Sequence, residues 1–247
     1  MAGPDRRLVR ISGPDGESEV DVYSPEGYRR LTALWVKAAW QHRISYEPTW
    51  LGIPIIQLPE DILMMQELIH KIRPDVVVET GVAHGGSGLF YASVLELLRR
   101  GRVISIDVDI RKHNRLAIQS HPLSARLTLI EGSSTSDAVL QQVCAALRPD
   151  DVVLVVLDSD HRFEHVRREL ELYAPLVTAG SYLVVFDGVM EQLADVPSGK
   201  PEWIRDNPLA ATRDFLAAHA EFEADPYYNR LGVTYCPRGF LKRVGRA

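Results

Sequence analysis

The sequence predicts an α/β fold: a mostly parallel, doubly wound sheet with helices on both faces and an antiparallel hairpin at the C-terminal end. Three observations carry that expectation. Five short, β-branched, nearly continuous apolar runs recur along the chain, as strands buried on both faces require. Helical patterns separate them, and strand, helix, strand repeated in this way builds a parallel sheet. Acidic residues close the runs, Glu79, Asp107, Asp158 and Asp187 among them, at the strand ends where open α/β sheets bind ligands.

In chain order, Gly3 to Pro25 is rich in Gly, Pro, Ser and charge and is expected to be loosely held. Leu31, Leu34, Trp35 and Ala38 then fall on one helical face. Ile62, Met65, Ile69 and Ile72 do so again, before Arg73-Pro74-Asp75 stops the second helix. The predicted strands lie at 76–79, 103–107, 127–131, 152–158 and 182–187. Phe90, Val94, Leu97 and Leu98 mark one intervening helix, and Val166, Leu170 and Tyr173 another. A loop rich in Pro, Gly and charge runs over 188–208, followed by a helix over 209–219. Two last strands, around 232–236 and 240–244, are expected to pair as the hairpin.

At 247 residues, with 46% hydrophobic and 25% charged, the chain has the material for one substantial core. A single domain over 1–247 is expected. Residues 1–45 form a loosely attached extension and helix, 46–73 a cap, and 74–247 a catalytic core carrying a lid loop at 188–208. A net charge of −5 with scattered Lys and Arg offers no field for a phosphate backbone, which argues against nucleic acid. No run approaches the roughly 18 apolar residues of a membrane span, so a cytoplasmic protein with no membrane partner is expected. Cys144 and Cys236 are far apart in no metal-type spacing and read as two core thiols. Homo-oligomerisation stays open.

The segment Glu79-Thr80-Gly81-Val82-Ala83-His84-Gly85-Gly86-Ser87 reads as a strand-to-helix turn against which a ligand can lie. Gly81-x-Ala83-x-x-Gly86 approximates the dinucleotide fingerprint, but Ala83 stands where that motif has its second glycine. A carboxylate at Glu79 suits a cationic sulfonium cofactor better than a pyrophosphate. Asp107 is placed to accept hydrogen bonds from ribose hydroxyls under either reading, and His84 lies within the turn, where it can contact a cofactor.

Leu157-Asp158-Ser159-Asp160-His161 and Phe186-Asp187-Gly188 discriminate between the two. Carboxylates from neighbouring strand ends suit a hard divalent cation. Hydride transfer needs no such cluster, whereas alkylation of a hydroxyl does, because the oxygen is a poor nucleophile until its proton is acidified and removed. His161 is the candidate base; the competing reading is a structural histidine at a helix start. His113, His121 and His165 sit in polar contexts and read as solvated. Trp35, Trp40 and Trp50 read as core or pocket wall, and Arg111-Lys112-His113 as a solvated helix start.

Several motifs in order, Tyr46-Glu47-Pro48-Thr49-Trp50-Leu51-Gly52, Gln57-Leu58-Pro59-Glu60-Asp61, the glycine turn, Ile106-Asp107-Val108-Asp109-Ile110-Arg111, Glu131-Gly132-Ser133-Ser134 and Leu157-Asp158-Ser159-Asp160-His161, resemble the rhamnosyl O-methyltransferase and cephalosporin hydroxylase family. The likeness runs from about Tyr46 to Val244. It implies a Rossmann-like methyltransferase fold that binds S-adenosylmethionine at Glu79, Gly81, His84, Gly85 and Ser87, with Asp107 on the ribose and Ser133 or Ser134 near the adenine. It implies Mg²⁺ near Asp158 and Asp187, an Asp158-x-x-His161 pair supplying a metal ligand and the general base, and a small-molecule hydroxyl acceptor of the sugar type. Phe186 departs from the family's Glu-Asp at the end of the fifth strand, which leaves Asp160 or Glu191 as substitute ligands, or more water on the metal. A nicotinamide-linked oxidoreductase and a non-catalytic S-adenosylmethionine-binding partner protein are the alternatives.

Overall fold

The structure, a computed structural model, describes residues 7–13 and 16–245. Where composition predicts a loosely held segment, β1 (Leu8–Gly13) and β2 (Gly16–Asp21) pair as an antiparallel hairpin, in register from Leu8 opposite Asp21 to Gly13 opposite Gly16. Residues 1–6 and 14–15 of that segment lie outside the described residues. Ser24 joins the hairpin to α1 (Pro25–Gln41). Its hydroxyl accepts from the Gly27 N–H at 2.9 Å as the N-cap and donates to the Asp21 carbonyl at 2.7 Å.

The helix α1 forms as its periodicity predicts, but a different face is buried. Val36 and Ala39 are buried and Trp40 half-buried, while Leu34, Trp35 and Ala38 point outward. The sequence is apolar on both adjoining faces. Packing of Val36 and Trp40 with Leu58, Val189 and Leu193 decides between them.

Two short strands, β3 (Thr49–Trp50) and β4 (Ile53–Pro54), lead into α2 (Pro59–Ile72), which buries Met64, Met65, Leu68 and Ile69 and ends with Arg73 in the left-handed region before Pro74. The central sheet follows: β5 (Val76–Thr80), α3 (Gly86–Leu97), β6 (Arg102–Asp107), α4 (Lys112–Gln119), β7 (Leu127–Glu131), α5 (Asp137–Ala146), β8 (Val153–Leu157), α6 (Phe163–Tyr173), β9 (Tyr182–Val185), α7 (Pro208–Ala218), β10 (Phe222–Ala224) and β11 (Phe240–Arg243). The strand order is β10-β11-β9-β8-β5-β6-β7. The five strands β5 to β9 are mutually parallel, and β11 runs antiparallel to both β9 and β10.

Alternation along each strand divides the core into two layers. Val76, Val78, Ile104 and Ile106 face α5, α6 and α7, whereas Val77, Val103, Leu154 and Val156 face α2 and α3. The C-terminal hairpin exists, but its first strand is Phe222–Ala224 and not the segment around Gly232–Cys236. The latter passes as irregular chain, held where Asp61 accepts from the Tyr235 N–H at 2.7 Å and the Thr234 hydroxyl at 2.5 Å. The predicted lid loop contains two 3₁₀ turns, Gly188–Leu193 and Pro201–Ile204. Cys236 is buried as expected, but Cys144 is exposed on α5, because the inward positions of that helix go to Val139 and Val143. No helix among the described residues is long and apolar enough to cross a membrane.

Candidate active site

Connections leave the sheet in opposite directions from β5 and β8, and the switch point between these two strands opens a crevice at their C-terminal ends. Thr80 pairs with Leu157 and Leu157 with Val185, so Gly81, Asp158 and Asp187 emerge side by side. Gly81 has φ +91°, and a Cβ there would lie 2.0 Å from the Asp158 carbonyl oxygen. Only glycine lets the two loops approach so closely.

The turn after β5 is held in an unusual conformation. Ala83 has φ +46° and Gly85 φ +94°. Asp107 Oδ2 accepts from the N–H groups of Val82 and Ala83 at 2.8 and 3.2 Å, and Asn114 Nδ2 donates to the Ala83 carbonyl at 2.7 Å. Asp107 thus pins the turn from the next strand end. Glu79 lies beneath the turn: it is 1% exposed, and the Ser105 hydroxyl donates to its Oε2 at 2.6 Å. Burial pushes its carboxyl up to about 7, against the pull of the Ser105 and Ser87 hydroxyls. Asp61, also buried, is raised to about 7 by the same cause.

A stability profile follows from these two carboxyls. Their folded-state pKa values exceed the ordinary 4.5 and 3.8, so the native state holds their protons more tightly. Their contribution is full below about pH 4 and is lost as pH rises through about 7. The melting temperature is expected to fall between about pH 5 and 8, with Glu79 responsible for up to roughly 3 kcal/mol. Glu79→Gln should flatten its share of that slope in thermal scans. An unchanged slope would mean that Glu79 is ionised in the fold.

Beyond the turn, Asp158, His161 and Asp187 each offer a ligand atom within 4.8 Å of the others. His161 Nε2 lies 3.0 Å from Asp187 Oδ2. Burial and the charge of Asp187 raise the Asp158 carboxyl well above the usual range, while His161 and Gln57 act in the opposite direction. For His161, burial lowers the pKa, but the charge and hydrogen bond of Asp187, with Asp158 and Asp160, outweigh it and raise it to about 9. Asp187 itself sits in the left-handed region at φ 55°, an uncommon conformation for a residue other than glycine. Two crowded carboxylates and an imidazole at one point suit a divalent cation, with water completing the coordination.

Asp160 is not brought to this group. Its carboxylate is bound by the Arg162 guanidinium at 2.6 to 3.0 Å, and that hydrogen bond lowers it to about 2. Glu191 pairs with Arg213 at 2.7 Å. Phe186 is 2% exposed in the core layer beneath α2 and α3, so its position serves packing.

Two cavities meet at Asp187. One, of about 170 Å³, runs along the glycine turn past Gly81, His84, Ser87 and Asp158. The other, of about 360 Å³, is walled by Trp40, Trp203 and Tyr235. Tyr46 and Ile56 line both cavities. Gly85 caps α3 behind the turn. Ser133 and Ser134 follow β7, the hydroxyl of Ser133 paired with Thr135 at 2.8 Å and that of Ser134 lying 3.2 Å from His165 Nε2. His165 is not the solvated residue its context predicts. Its Nε2 also lies 3.1 Å from the Ser159 hydroxyl and 3.4 Å from the fully buried Glu169. Its spacing of four from Glu169 on α6 was the available signal. Gln57, buried, donates to Asp158 Oδ2 at 3.3 Å; its place in the Gln57-Leu58-Pro59 motif was the only clue to it.

A parallel sheet reversing at β5 and β8, an antiparallel final strand, a glycine turn and clustered carboxylates define a Rossmann-like α/β protein with a ligand crevice at its switch point. Solved structures share that fold. An apo structure of CmcI matches with TM-score 0.57 at 20% identity, over 81% of this chain and 78% of that one. A Bacillus cereus O-methyltransferase in complex with SAH matches with TM-score 0.53 at 18% identity, over 83% and 84%. The family profile described as Rhamnosyl O-methyltransferase/CmcI matches residues 42–244, and the chain belongs to that family. A rhamnosyl O-methyltransferase of Mycobacterium leprae (strain TN) is 32% identical over 202 residues, covering 79% of this chain and 82% of the relative. One from Mycobacterium tuberculosis (strain H37Rv) is 30% identical over 206 residues, covering 79% and 78%.

Proposed function

We propose that this protein transfers the methyl group of S-adenosylmethionine to a hydroxyl of a small molecule, a rhamnosyl-type sugar or a natural-product glycoside, at a site that also takes a divalent cation such as Mg²⁺. The observation that carries the reading is the convergence of Asp158, His161 and Asp187 where the two cavities meet. Family membership and the relatives' activity as rhamnosyl O-methyltransferases support it. A CmcI structure holding Mg and SAM agrees with the cofactor pair.

The glycine turn, with His84, Gly85 and Ser87, receives the cofactor's amino-acid end; Glu79 supports the turn from below. Asp107 serves the ribose, and Ser133 and Ser134 lie toward the adenine. Asp158 and Asp187 hold the cation, which when bound acidifies the acceptor hydroxyl and stabilises developing negative charge. His161 takes the proton. The cap at 46–73 and the lid at 188–208 orient the acceptor and exclude water, since Tyr46, Ile56, Ser198 and Trp203 wall the larger cavity.

The test is methyl transfer from labelled S-adenosylmethionine to methyl α-rhamnoside, before and after exhaustive EDTA treatment. Turnover that EDTA abolishes and Mg²⁺ restores is expected. Full activity after EDTA would end the metal reading, and methyl transfer to no hydroxyl acceptor would favour the non-catalytic binding protein. Asp107→Ala should weaken S-adenosylhomocysteine binding by roughly ten- to a hundredfold, the loss of one charge-assisted partner (about 1.5–3 kcal/mol). Calorimetric titration reads it, and an unchanged dissociation constant would remove Asp107 from the cofactor site.

A further inference from the structure

The larger cavity has a composition that the transfer of a methyl group does not explain. Its wall carries the aromatic side chains of Trp40, Tyr46, Trp203 and Tyr235 among polar groups; Trp40 meets Trp203 edge-on at 5.8 Å and Tyr235 at 5.4 Å. Such faces suit the apolar side of a sugar ring. Asp187 brings a negative charge to the same cavity, yet among the described residues the one cation lining it is Arg43. No carboxylate among the described residues lies within ion-pair distance of Arg43; the guanidinium rests 5.1 Å from the centre of the Tyr46 ring.

The chain holds Arg43 there at a conformational cost. Its backbone is left-handed, with φ 56° and ψ 35°, where a residue other than glycine is disfavoured. Two hydrogen bonds fix the turn: the Arg43 N–H donates to the Trp40 carbonyl at 3.0 Å, and the Tyr46 N–H donates to the Arg43 carbonyl at 3.0 Å. Trp40, Arg43 and Tyr46 therefore reach the cavity from one braced turn. Lys37 and Arg213 pair with Asp195 and Glu191. Arg43 is exposed where it lines the cavity, and its guanidinium, stacked near Tyr46 with no anion beside it, offers a planar fork of donors to an oxyanion.

We infer that the acceptor is an anionic glycoside, its sugar ring seated against Trp40 and Trp203 and its carboxylate or phosphate held by Arg43. The inference rests on the methyltransferase reading above and adds the charge class of the substrate. Protein saturated with S-adenosylhomocysteine is titrated calorimetrically with three probes: methyl α-rhamnoside, rhamnose 1-phosphate and methyl glucuronide. Rhamnose 1-phosphate or the glucuronide should bind roughly ten- to a hundredfold more tightly than the neutral rhamnoside, the range of one charge-assisted hydrogen bond. Whichever anion does so identifies the group. Arg43→Gln should abolish the preference, and Arg43→Lys should keep only part of it. Equal affinity for all three probes, no binding of either anion, or a preference that survives Arg43→Gln would overturn the inference. Those outcomes leave the methyltransferase reading intact if methyl α-rhamnoside is still methylated. A protein that fails to bind S-adenosylhomocysteine at all would overturn both.

Discussion

His161→Ala is expected to lower turnover by roughly 10²–10⁴-fold while leaving the affinity for S-adenosylhomocysteine nearly unchanged. Only a neutral imidazole accepts a proton, yet beside Asp187 this one is held at a pKa of about 9 and carries a proton at neutral pH. The carboxylate charge that keeps it protonated is the same charge that a cation at Asp158 and Asp187 would neutralise. On the proposed reading, cation and proton would compete, and the imidazole would be free to act as a base once the cation is bound. A merely structural histidine predicts the reverse pattern: a lower melting temperature, with turnover per folded molecule hardly changed. Both quantities are measured on one variant at saturating cofactor and acceptor. A loss below about fivefold, outside the general-base range, would remove His161 from proton transfer. Asp160 is a poor replacement, since the Arg162 hydrogen bond holds it near 2.

Gly81→Ala should be the most damaging single-methyl change in the glycine turn. The added Cβ would stand 2.0 Å from the Asp158 carbonyl oxygen and 2.6 Å from its carbon, so the backbone after β8 must move and carry the Asp158 side chain with it. Left-handed strain of about 1–2 kcal/mol and overpacking of about 1–3 kcal/mol combine. A melting temperature lower by roughly 5–15 °C is expected for a chain of this size. Binding of S-adenosylhomocysteine should fall below detection in calorimetry, because the turn and the strand end form one wall. Gly180→Ala is the control: φ is +84° there, but nothing lies within 4 Å of the new Cβ, so that variant carries the strain without the collision. Equal effects from the two substitutions would show that conformation alone, and not the close approach of the loops, demands glycine at position 81.

Much of the site was legible because its chemistry lies at strand ends, and strand ends follow from hydrophobic pattern. Once the apolar runs at 76–79, 152–158 and 182–187 are read as adjacent parallel strands, Glu79, Asp158 and Asp187 must lie along one rim of the sheet. What pattern reading could not assign was depth. Glu79 and Asp107 read alike as strand-end carboxylates, yet Glu79 lies buried against Ser105, whereas Asp107 braces the turn after β5 from the next strand end. Arg43, Trp203 and Tyr235 come from three distant segments, and no local spacing announces that they share a cavity. His165 read as solvated for the same reason: Ser134 and Ser159 approach it from other loops.

By itself the sequence determined the five parallel strands, the helices between them, the glycine turn and the family to which the chain belongs. These are local or nearly local properties, set by the period of apolar residues, by glycines at special conformations and by motifs of a few residues. Tertiary structure alone decided which face of α1 is buried, which segment pairs with β11, and which polar groups meet. Leu34 and Val36 are equally apolar, and only the presence of Leu58 and Leu193 on one side makes Val36 the inward residue. Phe222 and the chain near Gly232 both fit a short strand, but Asp61 captures the backbone at Tyr235 and leaves Phe222–Ala224 to pair. In each case several local choices were of similar energy, and contacts between residues far apart in the chain selected one of them.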